Sequence, residues 1–566
     1  MARDKIPLTT LAGCKWWQIK VSDSAEVAGT PTADLAEDIY EETLAEFESL
    51  MRKDSEQKWL RQVISTGTHA DQVAALITLT QMSPVLAIPH LRQLLTLAQT
   101  KATRIIQPAL TALKRLMVEE LLPARRLKFF AEQTVSGPIY KSTLLLWHFE
   151  DFVKKAIATF VQLLFDAQSS PIETVRSSCV DFSFDILACI NGANVTGEQE
   201  KPMLKLLVKA LGDKSEKRVS AKAQLLLRKL AARRPHMKEQ IVDEVREQHL
   251  VTHESYSRGI SLACSLFSAF PLNAQDDAFV AGRLVEILSE LTNKIIAKKE
   301  KMDKKRKLEA GCGLTDADAR LLRLSLKALE TALAAAGSDS PLPATTNSLL
   351  IRLAHETQIP GLAVAILNLL NGLSKELKTD SPKLLRAIFG QCGSSQTYLG
   401  ASLPWLLSLV KQSVLEDAFV KPETKMAFRR RLLQVACVVA EPSVLPVVMA
   451  LVEPKQLEID LHNANAEDED VVRNDKFGYN AGFWDPVTAN VQKEPTVWER
   501  NLLKHHFEDC VRTAADSLPV EVPDEAKSLS QMLVDVSTMQ TDEEKRAKKR
   551  KKVDLEDAEV EMPGII

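Results

Sequence analysis

The spacing of apolar residues constrains the fold of this chain more than any other feature, and the stretch from Asp54 to Phe130 displays it most plainly. It opens DSEQKWLRQVISTGTHADQVAALITLTQMSP and later runs LTALKRLMVEELLPARRLKFF. Trp59, Leu60, Val63 and Ile64 recur at helical spacing, Ser65-Thr66-Gly67-Thr68 breaks the run, and Asp71 opens a second apolar stripe through Val73, Leu76, Ile77 and Leu79. Gly67 follows the last periodic residue. It is expected to cap the first helix in a left-handed conformation, where glycine alone meets no steric cost.

The same 3.6-residue period returns along the chain. Leu110, Leu113, Met117 and Leu121 share one face, while Lys114, Arg115 and Glu119 lie on others. Further helical runs are DFVKKAIATFVQLLFDA, KPMLKLLVKALGD, SAKAQLLLRKLAARRP, GLAVAILNLLNGLSK and FRRRLLQVACVVAEP. Turn-forming clusters separate them: SSPIE, LGDKSEKR, GSDSPLPATT and KTDSPK. Strand signals are almost absent. No strict period emerges, which argues against a tetratricopeptide or ankyrin array, whereas degenerate HEAT-like pairs of about 40 residues fit.

The 566 residues would suggest about three or four ordinary domains, a count that stacked repeats evade by growing in one dimension. The expected fold is therefore all-α, a HEAT-like helical-repeat solenoid with a disordered charged C-terminal tail. An irregular all-helical globule is the alternative. The expected layout is an N-terminal arm at 1–50, the solenoid at 51–455, an acidic loop and terminal helix at 456–520, and a flexible charged tail at 521–566.

Net charge is only −3, so no global basic field points to nucleic acid, yet charge is locally segregated. Lys294 to Lys307 (KIIAKKEKMDKKRK) carries eight basic residues against two acidic ones. This tract is read as a helix extended into solvent, with EAGCGLTD as a flexible link. Glu467 to Asp470 reads EDED. Lys545, Arg546, Lys548, Lys549, Arg550, Lys551 and Lys552 pack seven cations into eight residues just before VDLEDAEVE. Such a block cannot neutralise itself within a helical turn, and reads as a nuclear-import signal, an RNA-phosphate contact, or both. The plain alternative is a solvated charged tail.

Eight cysteines lie at Cys14, Cys179, Cys189, Cys264, Cys312, Cys392, Cys437 and Cys510, with no C-x-x-C spacing. That argues against a disulfide framework and a zinc module, and suits a reducing compartment. Cys179 and Cys189 read as buried small hydrophobes. The opening MARDKIPLTTLAGCKWW is too weakly apolar for a signal peptide, and no stretch reaches about 18 uninterrupted apolar residues, so a soluble intracellular protein without membrane contact is expected.

Chemical sites are sparse. Asp54 to Asp71 holds no nucleophile–base–acid arrangement, Gly67 stands alone, and no G-x-x-x-x-G-K-[ST] occurs, so no catalytic residue, enzyme activity or cofactor is expected. His505, His506, Asp509 and Cys510 are metal-capable, but adjacent histidines on a helix point about 100 degrees apart, which argues against a metal site. Trp484-Asp485-Pro486 and Trp498-Glu499 read either as a recognition loop or as aromatics anchoring irregular chain on the helical stack.

Taken together, the opening segment resembles the CCAAT-binding-factor family of nucleolar-complex proteins. Trp59-Leu60, the turn through Gly67 and Thr68, Asp71, Ser83-Pro84, Leu121-Leu122-Pro123, and Leu127 to Phe130 with its Phe129-Phe130 pair stand where that family places matching residues. Ala269-Phe270-Pro271 resembles the family's small-aromatic-Pro turn, and Phe428 to Val435 its basic-apolar helix start. GFWDPVTANVQKEPTVWERNLLKHHFEDCVRTAADSL resembles the terminal signature, with Trp484, Asp485, Pro486, Trp498 and His506. The chain has VTANVQKEP where the family carries a basic tract, so no basic contact carries over there.

The resemblance implies a non-enzymatic assembly factor for the large ribosomal subunit. It would act in the nucleus and nucleolus as a heterodimer with the second nucleolar complex protein, and would contact early precursor ribosomal RNA. Two other readings stay open, a karyopherin-like nuclear transport adaptor and a transcription regulator. The basic tail favours the assembly factor over the adaptor, and no helix-turn-helix, basic-zipper or zinc-finger spacing supports the regulator.

Overall fold

The computed structural model describes residues 15–18, 31–51, 55–100, 102–123, 125–134, 139–189, 198–213, 217–251, 258–273, 276–306, 314–337, 342–357, 359–377, 382–394, 402–438, 445–467, 485–487, 496–506 and 509–516. Among them every regular element is helical, so the expected all-α class is what the chain adopts. No helix among them is long and apolar enough to cross a membrane. The chain divides into two compact units, Met1–Leu266 and Phe267–Ile566.

The first unit contains α1 (Ala33–Met51), α2 (Ser55–Thr66), α3 (His69–Met82), α4 (Ile88–Ala98), α5 (Thr103–Leu116), α6 (Lys141–Gln168), α7 (Glu173–Cys189), α8 (Glu200–Leu211), α9 (Lys217–Arg233), α10 (Lys238–Val245) and α11 (Arg258–Phe267). Helices rest on their next or next-but-one neighbours: α2 on α3, α3 on α4 and α5, α6 on α7 and α8, α7 on α8 and α9. This is the local connectivity of stacked helical hairpins. Leu144, Phe149, Val153, Ile157, Phe160 and Leu164 form the inward stripe of α6, all fully buried. Each such side chain contributes roughly 1.5–3 kcal/mol relative to exposure, which makes α6 the spine of the unit. Within the segment read as an arm, α1 packs on α6, and the Tyr40 hydroxyl donates to the Leu86 carbonyl at 3.2 Å.

The α2–α3 junction corrects two expectations. Ser65 and Thr66 belong to α2, and Gly67 is not left-handed; among described glycines only Gly337 has positive φ, at 62°. Gly67 N donates to the Val63 carbonyl at 2.8 Å, and a Cβ at Gly67 would stand 2.5 Å from that same oxygen. Glycine is demanded by closeness of approach, not by φ. Trp59 does not join the apolar stripe. Leu60 packs with Ala75 and Leu79, and Trp59, one position and about 100° around the helix, is 61% exposed.

Thr68 is the N-cap of α3. Its Oγ1 accepts from Asp71 N at 3.3 Å and donates to Asp71 Oδ2 at 2.6 Å, so the Thr-x-x-Asp spacing satisfies an end donor and holds a negative charge at the positive helix terminus. Leu110, Leu113, Met117 and Leu121 line one buried face as expected, and the run ends in a π-helical turn at Met117–Leu121.

The second unit contains α12 (Ala278–Arg306), α13 (Asp316–Ala336), α14 (Ala344–Glu356), α15 (Pro360–Leu377), α16 (Pro382–Cys392), α17 (Leu403–Val410), α18 (Pro422–Ala436), α19 (Leu445–Val452), α20 (Pro454–Glu467), α21 (Trp498–Leu503) and α22 (Asp509–Asp516). Phe270 of the small-aromatic-Pro turn is fully buried, edge-on to Phe267 at 6.1 Å. Thr315 caps α13 through Asp318 just as Thr68 caps α3 through Asp71, and Gly337 supplies the positive-φ ending expected at Gly67. The inner basic tract also departs from its reading. It continues α12 to Arg306, but Lys299 is 3% exposed and pairs with Glu356 at 2.8 Å, while Lys298 pairs with Asp318 at 3.3 Å. Lys299 thus binds two helices together instead of projecting into solvent, while Lys294, Lys298 and Lys301 are exposed as the reading has it.

Candidate functional site

In the first unit the signature residues form a clamped loop. Buried Pro123 follows the π-helical turn, where its missing N–H ends helical bonding, and the chain crosses over α6. Glu150 of α6 accepts from Lys128 N at 3.0 Å and Gln133 Nε2 at 3.0 Å, and pairs with Arg125. Asp151 accepts from Phe130 N at 3.2 Å. Lys154, only 5% exposed, donates to the Leu127 carbonyl at 2.9 Å, pairs with Glu132 at 3.1 Å and stands 3.8 Å from the Phe129 ring centroid. The Phe129 amide donates to Glu132, and this bond together with Lys154 holds the Glu132 carboxyl below the usual range.

Three charged side chains on one helix thus fix a loop without strand partners. Leu127 is buried, and Phe130 meets Trp147 edge-on at 6.0 Å. Phe129, Arg126 and Lys128 are left outward. Sequence periodicity did not single out Glu150 or Lys154, although charge inside the apolar run LLLWHFEDFVKKAI was the available signal.

In the second unit the terminal signature closes onto α18. Arg430 and Glu499 are fully buried and pair at 3.3 Å. Gln434 Nε2 donates to Glu499 Oε1 at 3.0 Å, and Arg430 Nη2 donates to the Thr496 carbonyl at 3.3 Å. Arg500 donates to the Ala515 carbonyl at 2.8 Å, pairs with Asp516 at 2.7 Å, and also engages Glu458 of α20. The Lys504 hydrogen bond, then Arg500, holds the Asp516 carboxyl below its usual range. Trp498 and Leu502 point outward on α21. The sequence reading emphasised Trp498; the chemistry sits on Glu499, Arg500 and Arg430.

The remaining predicted positions are plainly placed. Asp485 pairs with Arg386 at 2.7 Å and Pro486 is buried; Trp484 lies outside the described residues. His505 and His506 lie beyond the end of α21 in a turn, not on a helix, and the His506 carbonyl accepts from Arg512, which also takes Asp509. Among the described residues no three His, Cys, Asp or Glu side chains converge as a metal site requires. Burial pushes the thiols of Cys179, Cys264 and Cys392 up to about 12, so they stay protonated and inert. Cys189 has no described side chain, and the cluster from Lys545 to Lys552 lies outside the described residues.

The CBF/Mak21 family profile matches residues 363–515, the span holding Arg430, Glu499 and Arg500. The chain is similar to CCAAT/enhancer-binding protein zeta of Homo sapiens, at 24% identity over 446 residues, covering 75% of this chain and 40% of that protein. It is also similar to ribosome biogenesis protein NOC1 of Chaetomium thermophilum, at 32% identity over 237 residues, covering 38% and 22%. An uncharacterised protein of Schizosaccharomyces pombe matches at 32% over 200 residues, covering 35% and 22%. The chain thus spans less than half the length of these relatives.

Proposed function

From the premise that residues 363–515 are a CBF/Mak21 family domain, we propose that this chain is a non-enzymatic assembly factor for the large ribosomal subunit, acting in the nucleolus. The observation that carries the reading is its likeness over 237 residues to a protein named for ribosome biogenesis. Stacked helical hairpins suit this role, because they present extended faces to a protein and an RNA at once. The partner is the second nucleolar complex protein, held in a heterodimer, and the RNA is early precursor ribosomal RNA. The tail from Lys545 to Lys552 serves as a nuclear address, an RNA grip, or both.

Affinity purification of the full chain, followed by identification of protein and RNA, tests this reading. Large-subunit RNA precursors and the nucleolar-complex partner should be recovered, the partner persisting after ribonuclease and high salt because apolar contact is little screened. Recovery of import receptors and cargo without ribosomal precursors would favour the transport-adaptor reading. Partner loss on ribonuclease alone would make RNA the bridge between the two proteins.

A further inference from the structure

We infer that the loop Arg125–Phe130 is a stacking site for single-stranded RNA, in which an unpaired base lies against Phe129 and flanking phosphates meet Arg126 and Lys128. This rests on the reading that the chain contacts precursor ribosomal RNA, and names where and by what chemistry one contact is made. α6 orients the loop for this contact.

Charge is sorted by direction. Arg125, Arg126, Lys128, Lys154 and Lys155 stand against Glu132, Glu150 and Asp151, five cations to three carboxylates. The acids are engaged: the Glu150 side chain is 5% exposed and bound to Arg125, Lys128 N and Gln133, Asp151 holds Phe130 N and Lys155, and Glu132 holds Phe129 N and Lys154. Arg126 and Lys128 make no salt bridge among the described residues and are exposed on either side of the chain position that turns Phe129 outward. An anion approaching the ring meets two exposed cations that hold no salt bridge among the described residues, and three carboxylates already engaged by cations and backbone N–H groups, of which Glu132 is 54% exposed.

The aromatic ring is placed for stacking. Leu127 is buried and Phe130 is half-buried, yet Phe129 between them is 40% exposed. Lys154 stands 3.8 Å from the ring centroid and takes one face, which leaves the opposite face for a base. A base has a π-face of any sequence to offer such a ring, and the phosphates beside it pair with the cations. Bases inside a duplex are already stacked on each other, which selects single strands. The loop backbone is held by bonds from Glu150, Asp151, Lys154 and Glu132, so little ordering remains to oppose binding.

The test measures binding of the full chain to a fluorescent oligouridine and to an abasic strand of equal length and charge. Phe129→Ala should weaken oligouridine binding by about five- to a hundredfold, leave the abasic strand unaffected and keep the parent salt slope. Phe129→Tyr should bind nearly as the parent does. Arg126→Ala with Lys128→Ala should flatten the log-log salt slope by about 1.4, at roughly 0.7 per phosphate. The inference is overturned if Phe129→Ala, with an unchanged thermal melt, binds oligouridine as tightly as the parent. If Phe129→Ala fails to fold, equal binding of both strands by the parent overturns it instead. A parent chain that binds neither strand nor purified precursor RNA sinks the RNA-contact reading itself, separating the two failures.

Discussion

Arg430 and Glu499, 69 residues apart in sequence, face each other at 3.3 Å with neither side chain reaching solvent. The pair ties α21, near the end of the span 363–515 that matches the family profile, to α18 in its middle. Removing one partner leaves an uncompensated buried charge, a far larger cost than the net gain of the pair itself.

Arg430→Met alone or Glu499→Leu alone should therefore destabilise the second unit by about 3–5 kcal/mol. The double substitution should cost clearly less than either single one. Chemical denaturation in a double-mutant cycle reads this out; additive losses would show that the two side chains do not act as a pair.

Gly67→Ala should destabilise the α2–α3 hairpin by about 1–3 kcal/mol, because its Cβ meets the Val63 carbonyl at 2.5 Å. Gly67→Asn decides between the two physical reasons for glycine. Asparagine tolerates left-handed backbone, so it would be mild at a left-handed cap, whereas a steric clash penalises it as much as alanine. Equal losses in thermal melts are expected.

Gly259→Ala should be similarly costly in the first unit, where a Cβ would stand 2.5 Å from Nδ1 of the buried His249 ring. That ring is fixed by an Nε2 contact to the Val208 carbonyl at 2.8 Å and cannot easily withdraw. A loss of about 1–3 kcal/mol is expected by urea unfolding. Coupling to His249→Ala in a cycle should be strong, and its absence would clear the ring as the obstacle.

The first unit should lose stability as pH falls below about 6.5. Burial holds the imidazoles of His90 and His148 below their ordinary value of 6.5, so the folded chain keeps them neutral while the unfolded chain takes up protons. With folded values depressed, the contribution is complete above 6.5 and is lost as pH falls through the folded values. His148→Phe keeps a ring against Tyr40, 5.2 Å away between centroids, and should blunt the decline. Urea midpoints from about pH 8 to about pH 5.5 report it, and parallel curves for parent and variant would refute the assignment.

Much of the fold was legible in the chain itself. Helical class, the α2–α3 turn and the buried face through Leu110, Leu113, Met117 and Leu121 all follow from local spacing. Periodicity carries such information because a helix repeats its face every 3.6 residues whatever it packs against. Trp59 matched the period but sits one position off the buried stripe, and within the basic tract, read from its charge as extending into solvent, Lys299 is buried against Glu356 of α14.

What the sequence determined alone was therefore class, rhythm and capping: Thr68 with Asp71 and Thr315 with Asp318 cap helices through contacts three residues long. What only tertiary structure decided was the fate of charge. Whether Glu150 and Lys154 clamp a loop, Arg430 meets Glu499, or Phe129 is turned outward depends on partners 17 to 69 residues away. A charged side chain is costly to bury alone and stable when paired, and no local pattern states which distant group will arrive to pair it.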